Sequence, residues 1–310
     1  MIEIFLKTLP FFGLIALGYQ AGRTGFFTAE ATAYLTKFVF YFALSAMLFN
    51  FAANLSIAEI FDWRFLGAYL LGSGVVYLLA MAVAIIRRVG VAEAAVEAQC
   101  AVIGNTGFLG VPMLVVLMGA AAVGPILMVL TIDLVVFSSL ITILITGSRD
   151  GRMSFGLLKT VALGLVQNPM IVAISLGLIF SSLSVPIPDV ANEFLSILGA
   201  AATPGALFAI GASLATKSAE RMSVAAWLSF CKLVLHPAAV ALAALVLIPV
   251  ARFDAAVMIA AASLPVAGNV YILAQHYGVA PHRVSASILI STAVSIVTVS
   301  LVIAWVTPLL

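Results

Sequence analysis

Charge is scarce in this chain. Of its 310 residues only 8% are charged, against about 25% in an ordinary soluble domain. With 64% hydrophobic residues and a mean hydropathy of +1.26, no stretch is polar enough to make a soluble domain. The net charge of +2 says nothing about nucleic acid, and no basic run exists to bind any. Cysteine is nearly absent. Cys100 and Cys231 both lie in apolar runs, and there is no CxxC or His/Cys cluster. They read as buried small residues, with no disulfide, metal or other cofactor implied. No nucleotide-binding motif is present, so any transport energy comes from gradients. What remains is an all-α polytopic membrane protein.

A span takes about 20 apolar residues. Ten such runs fall between polar breaks, at 4–21, 32–53, 64–86, 94–118, 123–146, 158–181, 192–215, 224–250, 254–277 and 284–307. The first is read as a spanning helix, because no clear small-residue cleavage site accompanies it. Loops after the odd-numbered runs hold nine basic residues: Arg23, Arg87, Arg88, Arg149, Arg152, Lys159, Lys217, Arg221 and Arg283. The opposite side holds three, Lys7, Arg64 and Arg252, while the acids Glu59, Asp62, Asp189, Glu193 and Asp254 fall mostly there. This bias places the odd loops in the cytoplasm and both termini outside the cell membrane.

The fourth run contains Gly104-Asn105-Thr106-Gly107-Phe108-Leu109-Gly110-Val111-Pro112. Gly costs about 1 kcal/mol in a helix interior, and Pro removes a hydrogen bond and clashes with the preceding turn. Such a stretch is either a close-packing face or a broken helix of the kind that lines a transporter site. A shift of 159 residues (Ala43 to Ala202) carries it, without a gap, onto Ser263-Leu264-Pro265-Val266-Ala267-Gly268-Asn269-Val270-Tyr271. Paired interruptions favour the broken helix and imply two inverted five-helix repeats, 1–150 and 151–310.

The motifs Asn105-Thr106-Gly107-x-x-Gly110-x-Pro112 and Leu264-Pro265 to Gly278, with Asn168-Pro169-Met170-Ile171, Pro204-Gly205-Ala206-Leu207-Phe208 and His236-Pro237-Ala238, resemble the auxin efflux carrier family. The resemblance is to its compact bacterial form, which lacks the large cytoplasmic loop of plant members. It implies ten helices in two inverted repeats, with the fourth and ninth broken and crossing. It also implies export or exchange of carboxylates, either auxin-like or malate- and malonate-like. Plant members carry a second proline where this chain has Val270.

A broken helix offers the free N–H groups of its second half to an anion. Half-helices starting near Pro112 and near Asn269 would aim at one carboxylate, with the amides of Asn105 and Asn269 either donating to it or capping the unwound backbone. The candidate substrate site is therefore Asn105, Thr106, Gly107, Gly110, Pro112, Pro265, Gly268, Asn269 and Val270.

Three further residues are coupling candidates. Asp133, mid-run, is either a proton or sodium site or a buried carboxyl bonded to Thr131 or Ser138. Lys232 and His236, four apart on one helix face, either act on the anion and a proton or merely snorkel and pack. Glu97 reads as interfacial, and Tyr41, Phe42 and Phe49 as pocket-lining or packing aromatics. The partners implied are a small carboxylate, the lipid bilayer and a coupling proton or sodium, with a homodimer left open. A sodium/proton antiporter of similar design would want several mid-span carboxylates, and Asp133 stands alone. An intramembrane enzyme would need a catalytic constellation that the runs lack.

Overall fold

Within hydrocarbon an unpaired backbone N–H or C=O is costly, so apolar runs close their hydrogen bonds within themselves as helices. The computed structural model describes residues 2–55, 62–150, 155–215 and 222–309. Glu59, Arg152, Lys217 and Arg221, used above for orientation, lie outside the described residues. The described residues form helices with no strand among them. The first half holds α1 (Ile2–Arg23), α2 (Ala29–Ala53), α3 (Trp63–Ile86), α4 (Val91–Val102), α5 (Thr106–Met118) and α6 (Ala120–Ser148). The second holds α7 (Phe155–Val166), α8 (Pro169–Ser182), α9 (Asp189–Ala215), α10 (Met222–Leu247), α11 (Arg252–Ala262), α12 (Gly268–Tyr277) and α13 (Pro281–Leu309).

Seven of these, α1, α2, α3, α6, α9, α10 and α13, are long and apolar enough to cross a bilayer. The run at 158–181, expected as one span, is bent: α7 and α8 meet at 71°. The cause is local. A residue before proline is disfavoured in the helical region, and Asn168 sits at φ −80°, ψ 112° before Pro169. Its side chain then accepts from the Met170 N–H at 3.0 Å and caps α8. The fourth and ninth runs are each cut in two, as α4/α5 and α11/α12.

Helix bounds in the two halves keep step. A shift of 159 residues (Trp63 to Met222) carries α2 to α6 onto α9 to α13 within three residues at each end. Packing sorts the helices into two groups. α1 runs along α9 and α2 along α8, while α3 packs on α4 and α10, and α10 on α13. The groups touch where α1 meets α13, where the start of α5 meets α9, and where α2 meets α6. Cys100 and Cys231 are buried free thiols.

Candidate functional site

The two interruptions meet. Between α4 and α5, and between α11 and α12, the chain is extended, with Ile103 at φ −80°, ψ 109° and Ala267 at φ −74°, ψ 143°. Gly104 and Val266 form an antiparallel bridge. The Asn105 N–H donates to the Pro265 carbonyl at 2.8 Å, and the Ala267 N–H to the Ile103 carbonyl at 3.0 Å. The Val266 N–H donates to Ser291 Oγ at 3.1 Å. The breaks thus satisfy part of each other's freed backbone, and Ser291 of α13 takes a further group, as burial in a membrane requires.

The second half-helix starts at Gly268, beside the expected Asn269. The first starts at Thr106, six residues before the expected Pro112. Its opening turn is wide, with the Gly110 N–H reaching Asn105 O at 2.9 Å and the Val111 N–H reaching Thr106 O. That π turn leaves room for the Pro112 ring, which a tight α turn would strike. Gly107 and Gly110 lie where Met170 of α8 and Leu264 of the second break close on this turn. A Cβ at either position would come within 2.5 Å of those side chains.

A cavity of about 830 Å³ lies between the two helix groups. Asn105, Val266, Gly268 and Asn269 line it, so the first turn of α12 opens onto it. Asn269 Oδ1 and Thr106 Oγ1 are buried without a hydrogen-bond partner. Pro265 and Val270 are buried behind. Among the described residues no Asp or Glu lines the cavity, while Lys37 and His276 do. Of the aromatics singled out above, Tyr41 lines it, and Phe42 and Phe49 do not. Phe49 packs edge-on against Phe180 at 5.4 Å.

Beside the crossing lies a buried polar cluster. Lys232 is 0% exposed, so it does not snorkel. Its Nζ donates to the Ala262 carbonyl, the last of α11, and to His236 Nδ1 at 3.1 Å. With Nδ1 accepting, the His236 proton sits on Nε2 and points to Ser73 Oγ at 2.8 Å. Gly104 makes this possible, since a Cβ there would stand 3.3 Å from both Cε and Nζ of Lys232. Asp133 is bonded to neither Thr131 nor Ser138 through its carboxyl. Tyr69 OH donates to Oδ1 at 2.8 Å, Oδ2 is buried without a partner, and Ser138 Oγ reaches only the Asp133 backbone carbonyl at 3.2 Å. The Tyr69 ring also meets His236 edge-on at 6.0 Å. The three coupling candidates thus share one neighbourhood, on the α3/α6/α10 side of the crossing.

A family model described as membrane transport protein matches residues 3–303. The chain belongs to the auxin efflux carrier family. A protein of Rhizobium meliloti (strain 1021) named "Putative malonate transporter" is 30% identical over 306 residues, 97% of this chain and 95% of that protein. The lysosomal cholesterol signaling protein of Mus musculus is 28% identical over 228 residues, 69% of this chain but 26% of that protein. This member of the family is a multi-pass membrane protein of the transporter class.

Several residues of this auxin efflux carrier relative escaped the sequence reading. Tyr69 and Ser73 were missed, although Tyr69, Ser73 and Tyr77 form an i, i+4, i+8 polar stripe on the apolar α3, a readable signal. Phe40, Gln167 and Asn168 also line the cavity. Glu97 is not interfacial. It is 0% exposed and accepts from Arg87 and from Arg283, whose other nitrogen reaches Glu93 at 3.0 Å.

Proposed function

We propose that this carrier is a secondary transporter of small organic anions and holds one substrate carboxylate at the crossing of its two interrupted helices. The observation that carries the reading is the first turn of α12, with Asn105 and Asn269 beside it, at paired backbone breaks that border a cavity lined by no Asp or Glu among the described residues. The first-turn N–H groups of α12 and the amides of Asn105 and Asn269 are the donors. Thr106, Gly107, Gly110 and Pro112 shape one side of the site, and Pro265, Gly268 and Val270 the other. Hydrogen bonds to dipoles, with no direct salt bridge there, bind modestly and release readily, as turnover requires. The name of the rhizobial relative favours a malonate-like acid.

Architecture and coupling complete the reading. Ten spans form two inverted repeats, 1–150 and 151–310, with α4/α5 and α11/α12 as the broken pair. The constant 159-residue offset supports it. One helix group moves against the other to alternate access, and Asp133, Lys232 and His236 link binding to a proton or sodium.

Asn105→Ala and Asn269→Ala should each weaken acid binding by about 1–3 kcal/mol, the usual cost of leaving buried polar partners unmet. Calorimetric titration of purified protein with malonate reads this directly. Wild-type affinity in both variants would move the site elsewhere. The excess of basic residues on the odd loops puts both termini outside the cytoplasmic membrane, with the cavity open to the cytoplasm. A cysteine added after the last residue should therefore react with an impermeant reagent on intact cells, and protection until lysis would reverse the orientation.

A further inference from the structure

We infer that Lys37 is the ligand for a second carboxylate, making the cavity a dicarboxylate site with one acid group at each of two stations. The inference rests on the crossing as the first station. A charge inside a span is expensive and is kept where it serves a site. Lys37 belongs to α2, lines the same cavity as Asn105 and Asn269, and is exposed. Its ammonium rests 5.6 Å over the Tyr34 ring, and no carboxylate pairs with it among the described residues. A cation held on an aromatic face is positioned yet free to take an anion.

Register brings the two stations close. Phe40, one helical turn after Lys37 and on the same face of α2, stacks on Phe108 with centroids 6.2 Å apart and planes at 2°. Phe108 in turn lies in the opening turn of α5, three residues after Asn105. The Phe40–Phe108 pair thus forms an apolar wall between the ammonium and the crossing. In the inferred pose one carboxylate sits on the α12 N-terminus, the carbon chain lies against the aromatic wall, and the second carboxylate meets the flexible Lys37 stem. Among the described residues no acidic side chain lines the chamber to compete for the lysine.

The test compares malonate with its monomethyl ester, which keeps the size and loses one charge, by calorimetric titration of the full-length protein. Wild type should favour malonate by about tenfold or more, the scale of one charge-assisted hydrogen bond. Lys37→Gln should bring that ratio toward one, and Lys37→Arg should keep most of it. Asn269→Ala should weaken both ligands and preserve the ratio. An unchanged ratio in Lys37→Gln, or no preference in wild type, overturns the inference. Should Lys37→Gln fail to fold, Lys37→Met carries the same reading. A collapsed ratio in Lys37→Gln with Asn269→Ala silent would support Lys37 while overturning the crossing as the first station.

Discussion

Glu97→Ala is expected to destabilise the folded protein by about 3–5 kcal/mol, the range for removing one member of a buried ion pair. Glu97 is 0% exposed and gives one oxygen to Arg283, itself 6% exposed, and the other to Arg87. Truncation strands the Arg283 guanidinium with Glu93, which is 35% exposed and so a weaker partner. Arg283 Nε already lacks an acceptor. The effect should be asymmetric, because Arg283→Ala leaves Glu97 still neutralised by Arg87, a third exposed at 33%. Thermal unfolding in detergent, run as a double-mutant cycle over Glu97 and Arg283, measures both terms. A Glu97→Ala protein that melts with wild type would show the network to be ornamental.

Glu97 also marks where sequence reading stops. It lies near the start of an apolar run, a place where charges usually meet headgroups. Its burial comes from Arg283, 186 residues away, and from Arg87 in the turn before α4. Hydropathy reports depth along a run and says nothing of which distant helix covers it. Lys232 failed for the same reason. Its spacing to His236 gives a shared face, but only the Ala262 carbonyl and the bare Gly104 make that face a buried pocket for an ammonium.

The interruptions were legible because they are covalent in origin. Gly and Pro declare themselves wherever they fall, and the ungapped shift paired them. The start of α12 at Gly268 followed directly. The start of α5 did not, because Thr106 begins a helix only once Asn105 is pinned to Pro265 and the wide turn spares Pro112. The bend at Asn168 was within reach, since a residue before proline resists the helix, and apolar content hid it.

Lys232→Met is expected to lower the affinity for an anion at the crossing by about 2–4 kcal/mol, roughly 30- to 1000-fold. That is the interaction of two unit charges some 4–8 Å apart at an effective dielectric constant near 20. The ammonium stands behind the extended Gly104 segment, while Asn105 beside it faces the cavity. It acts through the backbone, as a fixed field. Loss of fold is not the expected outcome, because His236 Nδ1 lies 3.2 Å from the Ala262 carbonyl that Lys232 now holds. Without the lysine, the imidazole proton moves to Nδ1 and donates there, and Nε2 accepts from Ser73 Oγ. Asp133 should have the opposite sign. Its Oδ2 has no protein partner, which leaves a seat for a proton or a cation, and its negative charge offsets the field of Lys232. Asp133→Asn should therefore bind the acid at least as tightly as wild type while losing its dependence on pH or sodium. In vesicles, accumulation against a gradient should fail and passive exchange persist. The groups that face Asp133, Tyr69 and Lys232 with His236 and Ser73 beyond, stay in place in that variant and keep the comparison clean. Wild-type affinity in Lys232→Met would remove the lysine from the binding field. Concentrative uptake with unchanged pH and sodium dependence in Asp133→Asn would reduce that carboxyl to a structural partner of Tyr69.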